Sequence, residues 1–283
     1  QGGLPIPNIQ HISQPYWFEE GGDLDQDSFG LKVARDLEQA IVEYGIDNIA
    51  AFIAEPIQGA GGVIIPPETY WPEIQRICDD YEILLVADEV ITGFGRMGDW
   101  FATETYNIKP DFIPFAKGVT SGYLPLGGLL VSDRVADIII SKGGEFTHGF
   151  TYSGHPAACA VAIATINFIE RENVLETVKH QTAPYLKEQW ESLSTHELVG
   201  EARIKGMVAA IELTKEHRTR YASTIAAGSV CRDLAIDHGL VMRAVGDTMI
   251  IAPPLIITEQ QIDELIDKTR NTLDATLKMI KSL

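Results

Sequence analysis

Basic residues are scarce in this 283-residue chain: 22 lysines and arginines stand against 40 aspartates and glutamates, a net charge of −18. That balance excludes nucleic acid as a partner, because phosphate binding requires a basic footprint. It would draw in a cation such as an amine, although net charge first of all reports solubility. Long hydrophobic runs are missing too. No stretch of about 18 uncharged apolar residues occurs, so no membrane span is expected. Cysteines number three, Cys78, Cys159 and Cys231, with no CxxC and no Cys/His cluster. A disulfide framework and a zinc site are therefore excluded, and buried thiols of a reducing cytoplasm are expected. His11, His148, His155 and His180 share no metal spacing. The glycines of "QGAGG" and "GFGRMG" do not make the GxGxxG nucleotide fingerprint and read as tight turns. The opening, "QGGLPIPNIQHISQPYWFEEGGD", has no initiator Met, no basic n-region and no apolar h-region. It is not a signal peptide and reads like the middle of a longer protein.

What is present is 45% hydrophobic, enough for one large core or two smaller ones. "LKVARDLEQAIVEYG" carries a helical stripe closed by Gly45, and "PETYWPEIQRICDDYE" carries a second. Between and after them come four short apolar runs, "NIAAFIAEP", "ILLVADEV", "DFIPFAKG" and "LGGLLVSD". Apolar strands separated by helices imply an α/β fold with a mostly parallel sheet covered on both faces. The third and fourth runs are joined by too few residues for a crossover, which predicts an antiparallel pair. "HPAACAVAIATINFIERE" reads as a long buried helix. Beyond it lie helices, the short strands "GMVAAIEL", "GLVMRAV" and "TMIIAPP", and a last helix marked by a capping box from Thr258 to Gln261. The expected organisation is two domains, residues 1–172 and an α+β domain of residues 173–283.

Three of the inferred parallel-sheet strands end in a charge: Glu55, Asp88 and Lys117. Ligands of open α/β sheets bind beyond the carboxyl ends of the strands, and a charge that follows an apolar run needs a partner. A lysine at the edge of an apolar pocket can be a nucleophile toward a carbonyl, with a nearby carboxylate holding a cation. An aspartate and a lysine 29 residues apart fit a structural salt bridge better than a catalytic pair, so these residues alone do not establish the catalytic reading.

The words around them resolve the choice. "EPIQGAGGVIIPP", "LLVADEVITGFGR", "FAKGVTSGYLPLGG" and "HGFTYSGHP", in that order, resemble the class III aminotransferases of pyridoxal phosphate (PLP) fold type I. The similarity runs through essentially the whole chain and is greatest to the pyruvate-using ω-amine transaminases, putrescine and polyamine enzymes among them. The resemblance implies PLP as cofactor and a homodimer with the site at its interface. It makes Lys117 the Schiff-base lysine and proton shuttle, and Asp88 the partner of the pyridine nitrogen. Val90 would point the same way as Asp88 along the strand and pack on a ring face. Glu55 resembles an acid that supports the pocket through Gln58 or other neighbours; a strand-end acid capping nearby N–H groups is the alternative. Phe150 and Thr151 resemble the segment that reaches the phosphate of the partner subunit's cofactor. Arg243 resembles the arginine that forks onto a substrate carboxylate and swings aside for amines that lack one.

The family's phosphate-cradling turn and its ring-stacking aromatic lie upstream of the segment that matches residue 1. The chain is thus expected to be a C-terminal portion, binding PLP poorly by itself. "EARIKGMVAA" also departs from the pattern, since relatives have a glycine directly after the arginine, which puts the local turn in doubt. The activity implied is transfer of an amino group from a primary amine to a 2-oxo acid, pyruvate, by ping-pong kinetics. The alternatives are a class III enzyme acting on β-alanine or γ-aminobutyrate, and a truncated, non-catalytic fragment.

Overall fold

The computed structural model describes residues 7–214 and 226–282. Helix α1 spans Trp17–Glu20 and α2 spans Gln26–Tyr44. The apolar stripe predicts a start near Leu31, but the helix begins five residues earlier, at Gln26, capped by Asp25, which accepts from Ser28 N–H at 2.9 Å. Gly45, at φ +81°, ends it. The four-residue spacing of Phe29, Val33, Leu37 and Ile41 puts them on one face. That face packs against Trp71, Ile74 and Ile77 of α3 (Tyr70–Asp80) and against Leu85 of the sheet.

The sheet is β1 (Ala51–Ala54), β2 (Leu84–Ala87), β3 (Phe112–Phe115) and β4 (Gly128–Val131), in that order. β1 pairs parallel with β2 in the register Ala51↔Leu84, and β2 pairs parallel with β3. β3 and β4 pair antiparallel from Phe112↔Val131 to Phe115↔Gly128, as the short link between them dictates. Asp111 ties this edge together. Its carboxylate accepts from Leu85 N–H of β2, from Ser132, and from the Arg134 guanidinium at 2.5 Å. Helix α4 (Ala102–Thr105) precedes β3, and α5 (Asp133–Lys142) follows β4.

Coverage of both faces of the sheet is not what the structure has. Phe52, Ala54 and Leu85 lie under α2 and α3, whereas alternation turns Ile53 to the opposite face, where it is 62% exposed, and Leu129 and Leu130 are exposed as well. The described helices of this part supply a layer to one side only. The same deficit corrects the reading of 155–172. The helix is there, α6 (Pro156–Arg171), but only Ala158, Ala162 and Ile169 are buried while Ile163 and Phe168 are exposed. Among the described residues, nothing packs on the outer side of this all-round apolar helix.

After α7 (Val174–Thr177), a π-helical turn at Val178–Thr182 and α8 (Ala183–Glu191), the chain builds a second sheet. It comprises β5 (Val199–Lys205), β6 (Val208–Leu213), β7 (Arg243–Val245) and β8 (Thr248–Ile251), ordered β5-β6-β8-β7 and antiparallel throughout. β6 is buried along its whole length. Helices α9 (Ala227–Asp237) and α10 (Glu259–Lys281) cover this sheet, closing a core around Trp190, Leu186, Met207, Ile211, Met249 and Ile262. β5 is the strand the sequence pattern does not reveal. Ile204 and Lys205 continue it, and the doubtful turn falls one residue later, at Gly206-Met207.

α10 begins at the capping box read from the sequence: Thr258 Oγ1 accepts from Gln261 N–H, and Gln261 Oε1 accepts from Thr258 N–H. Thr258→Ala is expected to cost about 1 kcal/mol, measured as a lower urea midpoint with an unchanged slope. Among the described residues no helix is long and apolar enough to cross a membrane.

The two sheets meet through shared contacts. Ile57, Val63, Met97 and Ala102 form one buried cluster with Val208 and Ala210 of β6. Arg96 donates to Met207 O at 3.2 Å and to Pro253 O at 2.5 Å, while Met207 N–H donates back to Arg96 O at 2.8 Å. Burial pulls the Arg96 guanidinium down to about 10.

Candidate active site

The three charges stand together at the carboxyl end of the parallel strands. Asp88 N–H donates to Ala54 O, the residue before Glu55, at 2.9 Å, and Glu89 N–H donates to Pro114 O at 3.0 Å. The backbone at Asp88 is thus held between the ends of β1 and β3, three residues short of Lys117. Glu55 interacts electrostatically with both other charges. Burial raises its pKa; the Gly59 N–H on its Oε2 at 2.9 Å lowers it, nearby Asp88 raises it and Lys117 lowers it. The partner of Glu55 is therefore the backbone of Gly59, not Gln58, which instead pairs its own backbone with Ile64. Trp71 Nε1–H, donating to Pro56 O at 3.1 Å, fixes the residue that follows Glu55.

Asp88 does not continue the strand. β2 ends at Ala87, and Asp88 Oδ1 captures Val90 N–H at 2.9 Å in a tight turn. The two-residue alternation expected to orient Val90 therefore does not operate; the turn sets its direction instead. Asp88 Oδ2 makes no hydrogen bond among the described residues, which leaves a carboxylate oxygen available to an incoming N–H. Lys117 likewise has no hydrogen bond or ion pair among the described residues, and it is exposed. An accessible primary amine beside a carboxylate with a spare acceptor fits a cofactor that has an aldehyde and a basic ring nitrogen.

The backbone places Lys117 with some strain. Ala116 is extended, Lys117 takes φ +44° and opens a 3₁₀ turn, and Ser121 closes it at φ +50°. A non-glycine residue at positive φ costs about 1–2 kcal/mol and persists only where the surroundings enforce it. The enforcement is visible next door. At Gly118 a Cβ would sit 3.0 Å from Phe94 Cβ and 3.2 Å from Gly93 O, so the loop after Asp88 presses directly on the lysine turn.

Glu89 shapes that loop, and the sequence reading gives it no role. It is fully buried, with one oxygen accepting from the Thr92 hydroxyl and the other from Thr103 N–H at 2.6 Å. Burial pushes its carboxyl pKa up, against the lowering effect of these donors. The folded value therefore lies above the ordinary one of about 4.3. By linkage, the contribution to stability is complete below the unfolded value and is lost as pH rises through the folded one. Glu89→Gln, which cannot ionise, is expected to gain stability relative to the native protein as pH rises across that mildly acidic window, with a constant difference above it. Urea unfolding of both proteins over a pH series checks this; a difference that does not change with pH refutes it.

The remaining predicted residues lie elsewhere. Arg243 opens β7, opposite Ile250, and is exposed with no ion-pair partner among the described residues. Phe150, 77% exposed, and Thr151 lie in an exposed stretch whose interactions stay local: Phe150 N–H donates to Ser153 Oγ, and the ring stacks edge-on against His148. No described contact joins either group to Lys117.

Compared with known proteins, the chain matches the class III aminotransferase family over residues 4–273. It belongs to that family. It is 56% identical over 277 residues to a putrescine–pyruvate aminotransferase of Pseudomonas aeruginosa, covering 98% of this chain and 60% of the relative. It is 40% identical over 286 residues to a probable mitochondrial gamma-aminobutyrate transaminase 3 of Oryza sativa subsp. indica, covering 99% and 56%. Among solved structures, an (S)-enantioselective omega-transaminase from Thermomicrobium roseum superposes with a TM-score of 0.91 at 38% identity, covering 98% of this chain and 62% of that one. The fold is accordingly that of PLP fold type I enzymes. The chain spans about 60% of the length of the curated relatives.

Proposed function

We propose that this chain is the C-terminal portion of a PLP-dependent aminotransferase that moves an amino group from a primary amine, of the putrescine or polyamine class, to pyruvate. The products are an aldehyde or ketone and alanine. The observation that carries the reading is the meeting of Lys117, Asp88 and Glu55 at the strand ends, in a chain 56% identical to a putrescine–pyruvate aminotransferase.

PLP bound there would supply an electron sink for the carbanion left when the amine carbon loses a proton. Lys117 Nζ would hold PLP through its aldehyde and, once the incoming amine displaces it, would be the free amine placed to carry a proton from the donor carbon. Asp88, whose Oδ2 is unused among the described residues, would accept the ring N–H and keep that nitrogen protonated. Val90, turned by the Asp88 side chain, bounds the ring pocket. Glu55 stands in the electrostatic reach of Lys117 and stays in place through Gly59 N–H. Arg243 forks onto the carboxylate of pyruvate or alanine. Its exposure, with no ion-pair partner among the described residues, leaves it free to move aside for a diamine.

The exposed Phe150 and Thr151 support a homodimer in which this segment serves the phosphate of the neighbouring site. The separate cores support domains of residues 1–172 and 173–283, and a cytoplasmic location accords with the free cysteines. A second reading, an ω-amino acid as donor, is supported by the 40% identity to gamma-aminobutyrate transaminases. Amine profiling with pyruvate and with 2-oxoglutarate separates them. Alanine formed from putrescine and pyruvate in a ping-pong pattern is the expected result. Preference for γ-aminobutyrate, or no turnover by the chain extended to the length of its relatives, would overturn the reading.

A further inference from the structure

Arg203 lies on β5 in the second sheet, yet three of its five hydrogen bonds leave that sheet. Its side chain is 7% exposed. One side of the guanidinium serves carboxylates of its own sheet, with Nη1–H on Glu201 Oε2 at 2.8 Å and Nη2–H on Glu212 Oε1 at 2.6 Å. The other side reaches the loop after β1: Nε–H donates to Val63 O at 2.8 Å and to Gly62 O at 3.1 Å, and Nη2–H donates to Gly62 O at 2.5 Å.

That loop is strained where the arginine holds it. Val63 is β-branched and buried, and it sits at φ +52°, a region such residues avoid. The turn is otherwise closed from within, with Gly62 N–H and Val63 N–H both donating to Gly59 O and Gln58 pairing with Ile64. Its first residue, Gly59, aims its N–H at Glu55 Oε2. Gly59 also packs against the loop that follows Asp88: a Cβ there would lie 2.5 Å from Ile91 Cδ1. A strained turn needs something outside it to fix its shape. Here that is a planar fork on two successive carbonyls, a geometry that a lysine cannot reproduce.

We propose that Arg203 is a positioning residue for Glu55. From the second sheet it locks the strained 59–64 turn and thereby presents Gly59 N–H to the carboxylate beside Lys117. The catalytic relevance of Glu55 rests on the proposed function. The positioning itself does not, because it is read from an amide that needs no cofactor.

Hydrogen exchange at the Gly59 amide, followed by NMR on the ¹⁵N-labelled chain, tests it. Arg203→Lys keeps a counter-ion for Glu212 and loses the fork. Gly59 exchange is expected to quicken about tenfold or more, the scale of a hydrogen bond to a charged group, while the Ile211 amide in β6 stays protected. Adding Val63→Gly, which removes the penalty at positive φ, is expected to restore most of the Gly59 protection. Glu55→Ala should expose Gly59 to a similar extent and combine less than additively with Arg203→Lys. Unchanged Gly59 protection in a folded Arg203→Lys protein overturns the proposal. So does a loss shared equally by Ile211, which would make Arg203 a general stabiliser.

Discussion

Lys117→Ala is expected to abolish covalent capture of PLP while leaving the fold intact. The lysine makes no hydrogen bond or ion pair among the described residues and is exposed, so its loss should move stability by no more than about 0.5 kcal/mol. Alanine at φ +44° inherits the same backbone strain and adds none. The chemistry has no such reserve. In the proposed function Lys117 is both nucleophile and proton carrier, and general acid–base catalysis alone contributes about 10²–10⁴-fold, so amine turnover should fall by at least that factor. Borohydride reduction after incubation with PLP, followed by peptide mass mapping, measures the capture directly. The native chain should be labelled at Lys117, and the variant should show only the background of its other lysines. Equal labelling of both proteins would mean that Lys117 does not carry the cofactor. Because the readout is a covalent mark, it remains informative even if the chain binds PLP weakly.

How much of this was legible in the sequence depends on where each determinant resides. The four strands of the first sheet announce themselves as apolar runs, and the length of the link after β3 alone fixes the antiparallel sense of β4. Glu55, Asp88 and Lys117 are legible because each interrupts an apolar run at its end, and β-strand geometry brings such ends together. The turn at Asp88–Val90 is not, because strand and Asx turn differ only in where one carboxylate oxygen points. Glu89 escapes notice as the second acid of a pair; its signal is Thr92, three residues on, whose hydroxyl makes the burial tolerable. β5 is hidden by charge: Glu201, Arg203 and Lys205 alternate along it and look like a surface loop, yet Arg203 is buried by neutralisation. The exposed sides of β1, β4 and α6 follow a different logic. Their apolar pattern predicts cover, which the described residues do not supply.

The buried group around Arg203 carries the largest expected effect on stability. Among the described residues, Arg203→Met leaves Glu212 inside the protein with only the Tyr16 and Thr248 hydroxyls as hydrogen-bond partners. Stranding one partner of a buried ion pair costs about 3–5 kcal/mol, a large share of the roughly 5–15 kcal/mol that holds a domain together. Burial by itself would depress the guanidinium's pKa, but Glu212, Tyr16 and Glu201 more than reverse it, so the arginine stays charged at any practical pH. Glu212→Met should cost a comparable amount, since among the described carboxylates Arg203 would keep only Glu201, which is partly exposed. If the ion pair were the whole of the matter, the double variant Arg203→Met/Glu212→Met would return close to the native stability, because apolar replacements of buried pairs are often neutral or better. It is expected to return only part of the way. Gly62 O and Val63 O would still lack their donor and Tyr16 its acceptor, a residual cost of about 1–3 kcal/mol for an unsatisfied buried group. A urea-denaturation cycle over the four proteins separates the two contributions. Full recovery in the double variant would assign the network to charge pairing alone, whereas the expected shortfall measures what the arginine does for the loop that holds Glu55.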